Sequence, residues 1–142
     1  MVEWQDSLSI GVLEVDIQHK LLFDKFNAFL LACENQTESE PDGILRLFWF
    51  LEAYTITHFN EEEKLMQRVA YPDYLKHREK HLAFAAEVAK LKEQLRNEGA
   101  TRTLVSTMTM FITSWLLEHI STMDRAIGRF VNASGIPATT RI

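Results

Sequence analysis

Cysteine occurs once in this chain of 142 residues. Cys33 therefore has no partner for a disulfide within the chain, which fits a reducing compartment. Breakers are equally scarce: three prolines and five glycines leave little punctuation for a fold of many short strands and favour long helices. Basic residues number 15 against 20 acidic ones, a net charge of −5, so no basic surface is on offer and nucleic-acid binding is set aside. Long apolar runs are missing too. The most apolar stretch, Leu104 to Leu117, is interrupted by Ser and Thr and is too short and too polar to span a bilayer. The opening M-V-E-W-Q-D-S has neither the basic head nor the apolar run of a signal peptide, so a soluble cytoplasmic protein is expected, with no membrane contact. What remains is 46% apolar and 25% charged, ordinary for a globular chain, and the length suits one domain (1–142) with one core.

The pattern divides this domain into an irregular N-terminal arm over 1–15, a helical bundle over 16–131 and a tail over 132–142. In the arm Trp4, Ile10, Val12 and Leu13 offer packing points. From about Asp16 the period is helical, with His19, Leu22, Phe26, Phe29 and Cys33 on one face. The stretch E-N-Q-T-E-S-E-P-D-G breaks it, and Pro41 suits the first turn of a second helix. That helix carries Leu51, Thr55, His58, Glu62 and Leu65 on one stripe and fades near Ala70, where Pro72 can start a third. The third has the cleanest stripe: Tyr74, His77, His81, Phe84, Val88, Leu91 and Leu95, opposite a face of Lys, Arg, Glu and Gln. N-E-G at Gly99 is a stop, Thr101 a candidate N-cap, and the fourth helix carries Leu104, Met108, Phe111, Trp115 and His119. S-G-I-P at 134–137 ends the regularity. Helices of about 20–30 residues joined by short loops predict an all-α, antiparallel up-down-up-down four-helix bundle. Its stripes are satisfied inside the bundle, so a monomer is expected.

All five histidines lie on or beside these stripes. A single histidine on an apolar face ordinarily reads as a core group satisfied by a hydrogen bond. Five of them, with Glu62 among them, would bury several polar groups without obvious partners, each at about 1–3 kcal/mol, against a total stability of about 5–15 kcal/mol. Metal ions remove that conflict. His77 and His81 in H-R-E-K-H are one turn apart, as are His58 and Glu62 in H-F-N-E-E, so each pair can serve one centre. Asp124 stands five residues after His119 in H-I-S-T-M-D, about 140° around a regular helix, so it either reaches sideways or the helix is distorted there. Imidazole-rich sets suit Zn, Cu, Fe and Ni. Five nitrogens and two carboxylates exceed one tetrahedral zinc and suit two six-coordinate ions. Glu61 and Glu63, each about 100° from Glu62, read as solvated, and the methionines as packing rather than ligands.

These motifs, D-I-Q-H at 16–19, H-F-N-E-E at 58–62, Y-P at 71–72, H-R-E-K-H at 77–81 and W-L-L-E-H-I-S-T-M-D at 115–124, resemble those of the hemerythrins, specifically the single-domain bacterial ones, over about residues 4–131. The family shares the five-residue gap before its aspartate. The resemblance implies a non-haem di-iron centre. One iron would be held by His77, His81 and His119 and the other by His19 and His58 with one position open. Glu62 and Asp124 would bridge them together with an oxo or hydroxo group. It implies reversible binding of dioxygen, held as hydroperoxide on the two-histidine iron, for storage, delivery or scavenging. It also places Trp115, Leu116 and Ile120 near an oxygen pocket, where excluding water would slow oxidation; plain core packing explains these three as well. Phe23, Phe59 and Phe84 are further candidates for the cavity wall.

Two other functions compete. A di-iron oxygenase or peroxidase would be expected to carry Glu-x-x-His pairs, but the residues three before the histidines are Asp16, Thr55, Tyr74, Arg78 and Leu116, so no enzyme is expected. An oxygen or redox sensor would need a separate partner, since 132–142 is too short for an output domain.

Overall fold

The computed structural model describes residues 2–35 and 41–135. Four rods run antiparallel: α1 (Leu13–Glu34), α2 (Pro41–Arg68), α3 (Tyr74–Glu98), and a fourth in three parts, α4 (Arg102–His119), a π-helical turn (Ile120–Asp124) and α5 (Arg125–Ser134). α1 packs on α2, α2 on α3, α3 on α4, and α4 on α1, which closes the ring. Each connection follows local chemistry. At Gly99 the chain turns to φ +77°, and its N–H donates to Leu95 O, a conformation that costs glycine nothing. Thr101 then caps α4 by accepting from the Leu104 N–H at 3.1 Å, which satisfies a donor that a helix start leaves open. The third helix begins at Tyr74, two residues later than Pro72 allows, after Asp73.

The expected stripes of α1, α2 and α3 are buried, apart from the half-buried Tyr74 at the start of α3. That of α4 is corrected. Its buried face is Leu104, Met108, Ile112, Leu116 and His119, and Phe111 and Trp115 stand half-buried beside it. Two stripes with steps of three and four both fit α4, and the one through Ile112 faces inward. Cys33 is buried and free, and burial, with the charge of Glu34 nearby, pushes its thiol up to about 11. A neutral thiol is a core hydrophobe rather than a nucleophile. Among the described residues no helix is long and apolar enough to cross a membrane.

The arm is irregular but tied down. Apart from one 3₁₀ turn at Asp6–Leu8 its described residues have no regular structure before α1. The Val2 N–H donates to Asn27 Oδ1 at 2.9 Å and Asn27 Nδ2 donates to Val2 O at 2.7 Å. The carboxylate of Asp16 accepts from Ser9 Oγ at 2.6 Å and from the Ile10 N–H at 2.9 Å. Val2, Leu8, Ile10 and Val12 are buried, whereas Leu13 is 69% exposed, so Leu13 is no packing point. It belongs instead to an outward apolar stripe with Ile17 and Leu21, and Trp49 and Phe50 are more than half exposed on α2. The premise that no apolar surface is left over is corrected by these residues: each helix is wide enough to carry apolar side chains outside its core stripe. The tail beyond Gly135 lies outside the described residues.

Ile10 crosses α5 at Gly128, where an added Cβ would overlap Ile10 O. Alanine is better than glycine in a helix by about 1 kcal/mol, so Gly128→Ala would stabilise a chain whose arm did not lie there. We expect the opposite, a loss of about 1–3 kcal/mol in chemical denaturation, because a backbone carbonyl cannot rotate out of the way. A stabilised variant would place the arm elsewhere.

Candidate metal centre

Seven side chains from four rods converge between the arm end of α1 and the junction of α4 with α5. α1 supplies His19, α2 His58 and Glu62, α3 His77 and His81, α4 His119, and the π turn Asp124. All seven are buried, and Glu62, His19, His77 and Asp124 are 0% exposed. The five-residue gap before Asp124 is resolved by the helix itself. In the π turn the Arg125 N–H donates to Ile120 O, five residues back. A ring of this width brings a residue five positions on back under its predecessor. Asp124 therefore sits on the same inward face as His119, with its Oδ1 3.1 Å from His119 Nε2. The distorted helix, rather than a sideways reach, is what the chain adopts.

The carboxylates divide their oxygens. Oε1 of Glu62 lies 3.1 Å from His81 Nε2 and 3.6 Å from His77 Nε2, and Oδ1 of Asp124 lies 3.1 Å from His77 Nε2. The other two oxygens face the opposite way. Oε2 of Glu62 is 3.4 Å from His58 Nε2 and 3.5 Å from His19 Nε2, and Oδ2 of Asp124 is 3.0 Å from His19 Nε2. Two groups result, each able to hold a metal ion: Glu62, His77, His81, His119 and Asp124, and His19, His58, Glu62 and Asp124. Both carboxylates belong to both.

The donor chemistry fits metal better than hydrogen bonding. Both oxygens of Glu62, both of Asp124 and Nε2 of His19 are buried with no hydrogen-bond partner, close to neighbouring groups but not aligned with them. The Nε2 atoms of His77 and His81 stand 3.0 and 3.2 Å from that of His119, three lone-pair positions aimed at one point. Orphaned buried polar atoms are rare and costly, and atoms that all face a common centre are what ligands look like before an ion is counted.

The outer nitrogens carry what sequence reasoning missed. Nδ1 of His58 donates to Gln18 Oε1 at 2.7 Å, and Nδ1 of His81 donates to Glu63 Oε2 at 2.8 Å. Glu63 is thus corrected from a solvated residue to a partner of His81; its side chain is 18% exposed, and Arg78 Nε lies 3.7 Å from its other oxygen. A step of 100° from Glu62 points towards the neighbouring α3, not to solvent. The available signal was accounting: inward Nε2 atoms leave outward Nδ1–H donors that need acceptors, and Gln18 and Glu63 are polar residues placed beside the stripes. Glu61 is the more exposed neighbour, in a loose pair with Lys64 at 3.8 Å.

Aromatic rings wall one side. Trp115 stacks on His119 at 4.2 Å and on Phe84 at 4.0 Å, and Phe59 lies flat against His81 at 3.9 Å and 5°. Phe23 packs against Trp4 instead, at 5.9 Å. Leu116 and Ile120 are buried on either side of His119. Met66 and Met108 are core residues, and Met110 is exposed.

The chain has relatives among known proteins. Residues 11–131 match the family model described as the hemerythrin HHE cation binding domain, and the chain belongs to that family. It is 28% identical over 133 residues to a bacteriohemerythrin of Stenotrophomonas maltophilia, covering 94% of this chain and 83% of that one. It is 30% identical to a bacteriohemerythrin of Methylococcus capsulatus, over 83% and 86% of the two chains. A hemerythrin from Sipunculus nudus is 27% identical over 85% and 86%. A crystal structure of wild-type hemerythrin superposes with a TM-score of 0.80 at 24% identity, over 92% of this chain and 98% of that one, which shows the shared four-helix fold.

Without metal, the cluster must balance its two carboxylates with protons. Burial lowers the affinity of His19 for a proton, but Asp124 and Glu62 outweigh it and hold its pKa at about 10; the same contest leaves His77 at about 9. Burial raises Glu62, and His58, His19 and His77 more than reverse this, driving it well below the usual carboxylate range. Asp124 is likewise raised by burial and by Glu62, and lowered further by His119 and His19. The histidines are raised, so their contribution to stability is complete below their unfolded value of 6.5 and is lost as pH climbs through about 9 and 10. The carboxylates are depressed, so theirs is complete above 4.5 and 3.8 and is lost in acid. Thermal unfolding of the metal-free chain should show a maximum near pH 5–6.5 and a falling midpoint towards pH 10; a midpoint that rises over that range contradicts the assignment. Because ligands must be neutral imidazoles, metal uptake at neutral pH should also release protons, from His19 and His77 and from the water that becomes the bridge, measurable by calorimetry in buffers of different ionisation enthalpy.

Proposed function

We propose that this chain binds dioxygen reversibly at a di-iron centre, for storage, delivery or scavenging of oxygen. The observation that carries the reading is the division of the four carboxylate oxygens between a three-histidine group and a two-histidine group. His77, His81 and His119 would hold one iron, His19 and His58 the other, and Glu62 and Asp124 both, alongside an oxo or hydroxo bridge. Two ferrous ions would supply the two electrons that capture of dioxygen requires.

The protein's own part is to bind, orient and keep dry. The two-histidine group has one donor fewer, which supports it as the open position for dioxygen. Trp115, Leu116 and Ile120 are the proposed pocket: Leu116 and Ile120 are almost wholly buried, and Trp115 covers His119 face to face. Apolar walls withhold the water that would carry off reduced oxygen and leave the centre ferric. Five imidazoles among seven donors, without the Glu-x-x-His pairs of carboxylate-rich di-iron enzymes, favour a carrier over an enzyme. A single chain supplies the whole donor set, which supports a monomer as the working unit, and a lone buried thiol fits a cytoplasmic setting.

The test is anaerobic reduction of the purified protein, exposure to oxygen and then its removal, followed by visible absorption with iron quantified. Two irons per chain and a charge-transfer band that appears and vanishes with oxygen are expected. Irreversible conversion to the ferric state would favour a redox sensor or an oxygenase, and a folded chain without iron would end the di-iron reading. In the same assay Ile120→Ala should speed oxidation to the ferric form several-fold while iron content stays unchanged. An unaltered rate would remove Ile120 from the pocket.

A further inference from the structure

We infer that Glu63 and Gln18 make the two metal positions unequal: Glu63, through its charge, strengthens His81 as a donor in the three-histidine group, while Gln18 only orients His58 in the other. This rests on the metal-centre reading above and goes beyond it to residues that touch no ion.

An imidazole that turns Nε2 inward keeps its proton on Nδ1, facing out. His81 delivers that proton to a carboxylate oxygen at 2.8 Å, and His58 delivers it to an amide oxygen at 2.7 Å. Both bonds fix the ring and the tautomer equally well, but they differ electronically. A carboxylate draws the Nδ1 proton towards itself and leaves more electron density on Nε2, which raises the basicity of the ligand; hydrogen bonds to an ionised acceptor are about twice as strong as neutral ones. Glu63 is positioned for this. It is mostly buried, and Arg78 approaches its other oxygen at 3.7 Å. The flat Phe59 ring against His81 holds the imidazole in the plane that the bond needs. Among the described residues no carboxylate stands behind the outer nitrogens of the two-histidine group: Gln18 is neutral, and Nδ1 of His19, like that of His77 in the other group, is buried with no hydrogen-bond partner, so Glu63 is the one charged difference. Extra donation is therefore concentrated on the three-histidine position, which should take an ion first and favour the higher charge, and the two-histidine position is left the poorer in electrons and the readier to accept a further ligand. Glu63 is a positioning residue in this scheme, acting through His81.

The experiment compares wild type, Glu63→Gln and Gln18→Glu. Metal-free protein is titrated with cobalt(II), read by its visible absorption, and the midpoint potential of iron-loaded protein is measured. Glu63→Gln keeps the acceptor and the shape and removes only the charge, so a purely steric role would leave both readings unmoved. We expect wild type to fill in two steps of different affinity, Glu63→Gln to weaken the tighter step by about 10–100-fold and to raise the potential, and Gln18→Glu to tighten the weaker step and lower the potential. Unchanged affinity and potential in Glu63→Gln, or a potential that rises in Gln18→Glu, would overturn the inference. A wild-type chain that takes up neither cobalt nor iron would overturn the metal-centre reading instead, so the two failures are distinct.

Discussion

Two negative charges buried side by side at the centre of a helical bundle are the constraint on which the rest of this protein depends. Glu62 and Asp124 are wholly inaccessible, and burying an unpaired carboxylate costs more than a small domain can offset. Something positive must always stand between them. In the metal-free chain it is protons, held on His19 and His77 far above their usual range; in the loaded chain it would be metal. The five imidazoles are what allow both solutions, because they accept a proton or donate a lone pair from the same nitrogen. The centre is thus less a pocket waiting for an ion than a charge problem with two answers.

The remaining structure serves to keep that centre closed and its rings aimed. All four rods continue well beyond the donor layer, and a core that includes Phe26, Phe29, Phe48 and Met108, all fully buried, anchors the donor-bearing turns on a rigid base. At the other end, where the bundle would open, the arm is drawn across. Asp16, three residues before His19, receives the arm's Ser9 and Ile10, so the residue that fastens the arm and the residue that faces the centre share one turn of α1.

Much of this was legible in the sequence, and the limits have physical reasons. The helices and six of the seven converging residues follow from periodicity, because a donor must lie on the buried stripe of its helix; the cap at Thr101 and the stop at Gly99 follow from residue type, and Asp124 from the resemblance. Where two stripes fit equally, as in α4, periodicity could not choose between Phe111 and Ile112, since the choice is made by the neighbouring rods. The Asp124 spacing left a sideways reach and a distorted helix equally open; only hydrogen bonding of the backbone tells a π turn from a sideways reach. Gln18 and Glu63 stayed hidden because a residue at the edge of a stripe faces either solvent or the next helix, depending on a rotation that sequence does not record. The outward stripe of Leu13, Ile17 and Leu21 was lost for a related reason: an apolar residue announces affinity for a surface, but not which one.

The π turn has a consequence for how this chain can change. It amounts to one residue added to the fourth rod, so α4 and α5 follow one axis yet are out of phase by about 100°. Ile127 and Val131, buried in α5, meet the arm and bundle only in that shifted phase. Winding the same residues into a regular helix would turn those side chains, and Asp124 with them, by about 100° away from where they now face, whereas removing one residue would leave the aspartate four positions after His119, the spacing that Glu62 has from His58. The irregular stretch is therefore sensitive to a change of winding at constant length, and a chain that kept all its residues could not regularise the helix and leave α5 seated. The chemical group and the terminal segment are bound to the winding of the same turn, and would be kept or displaced together.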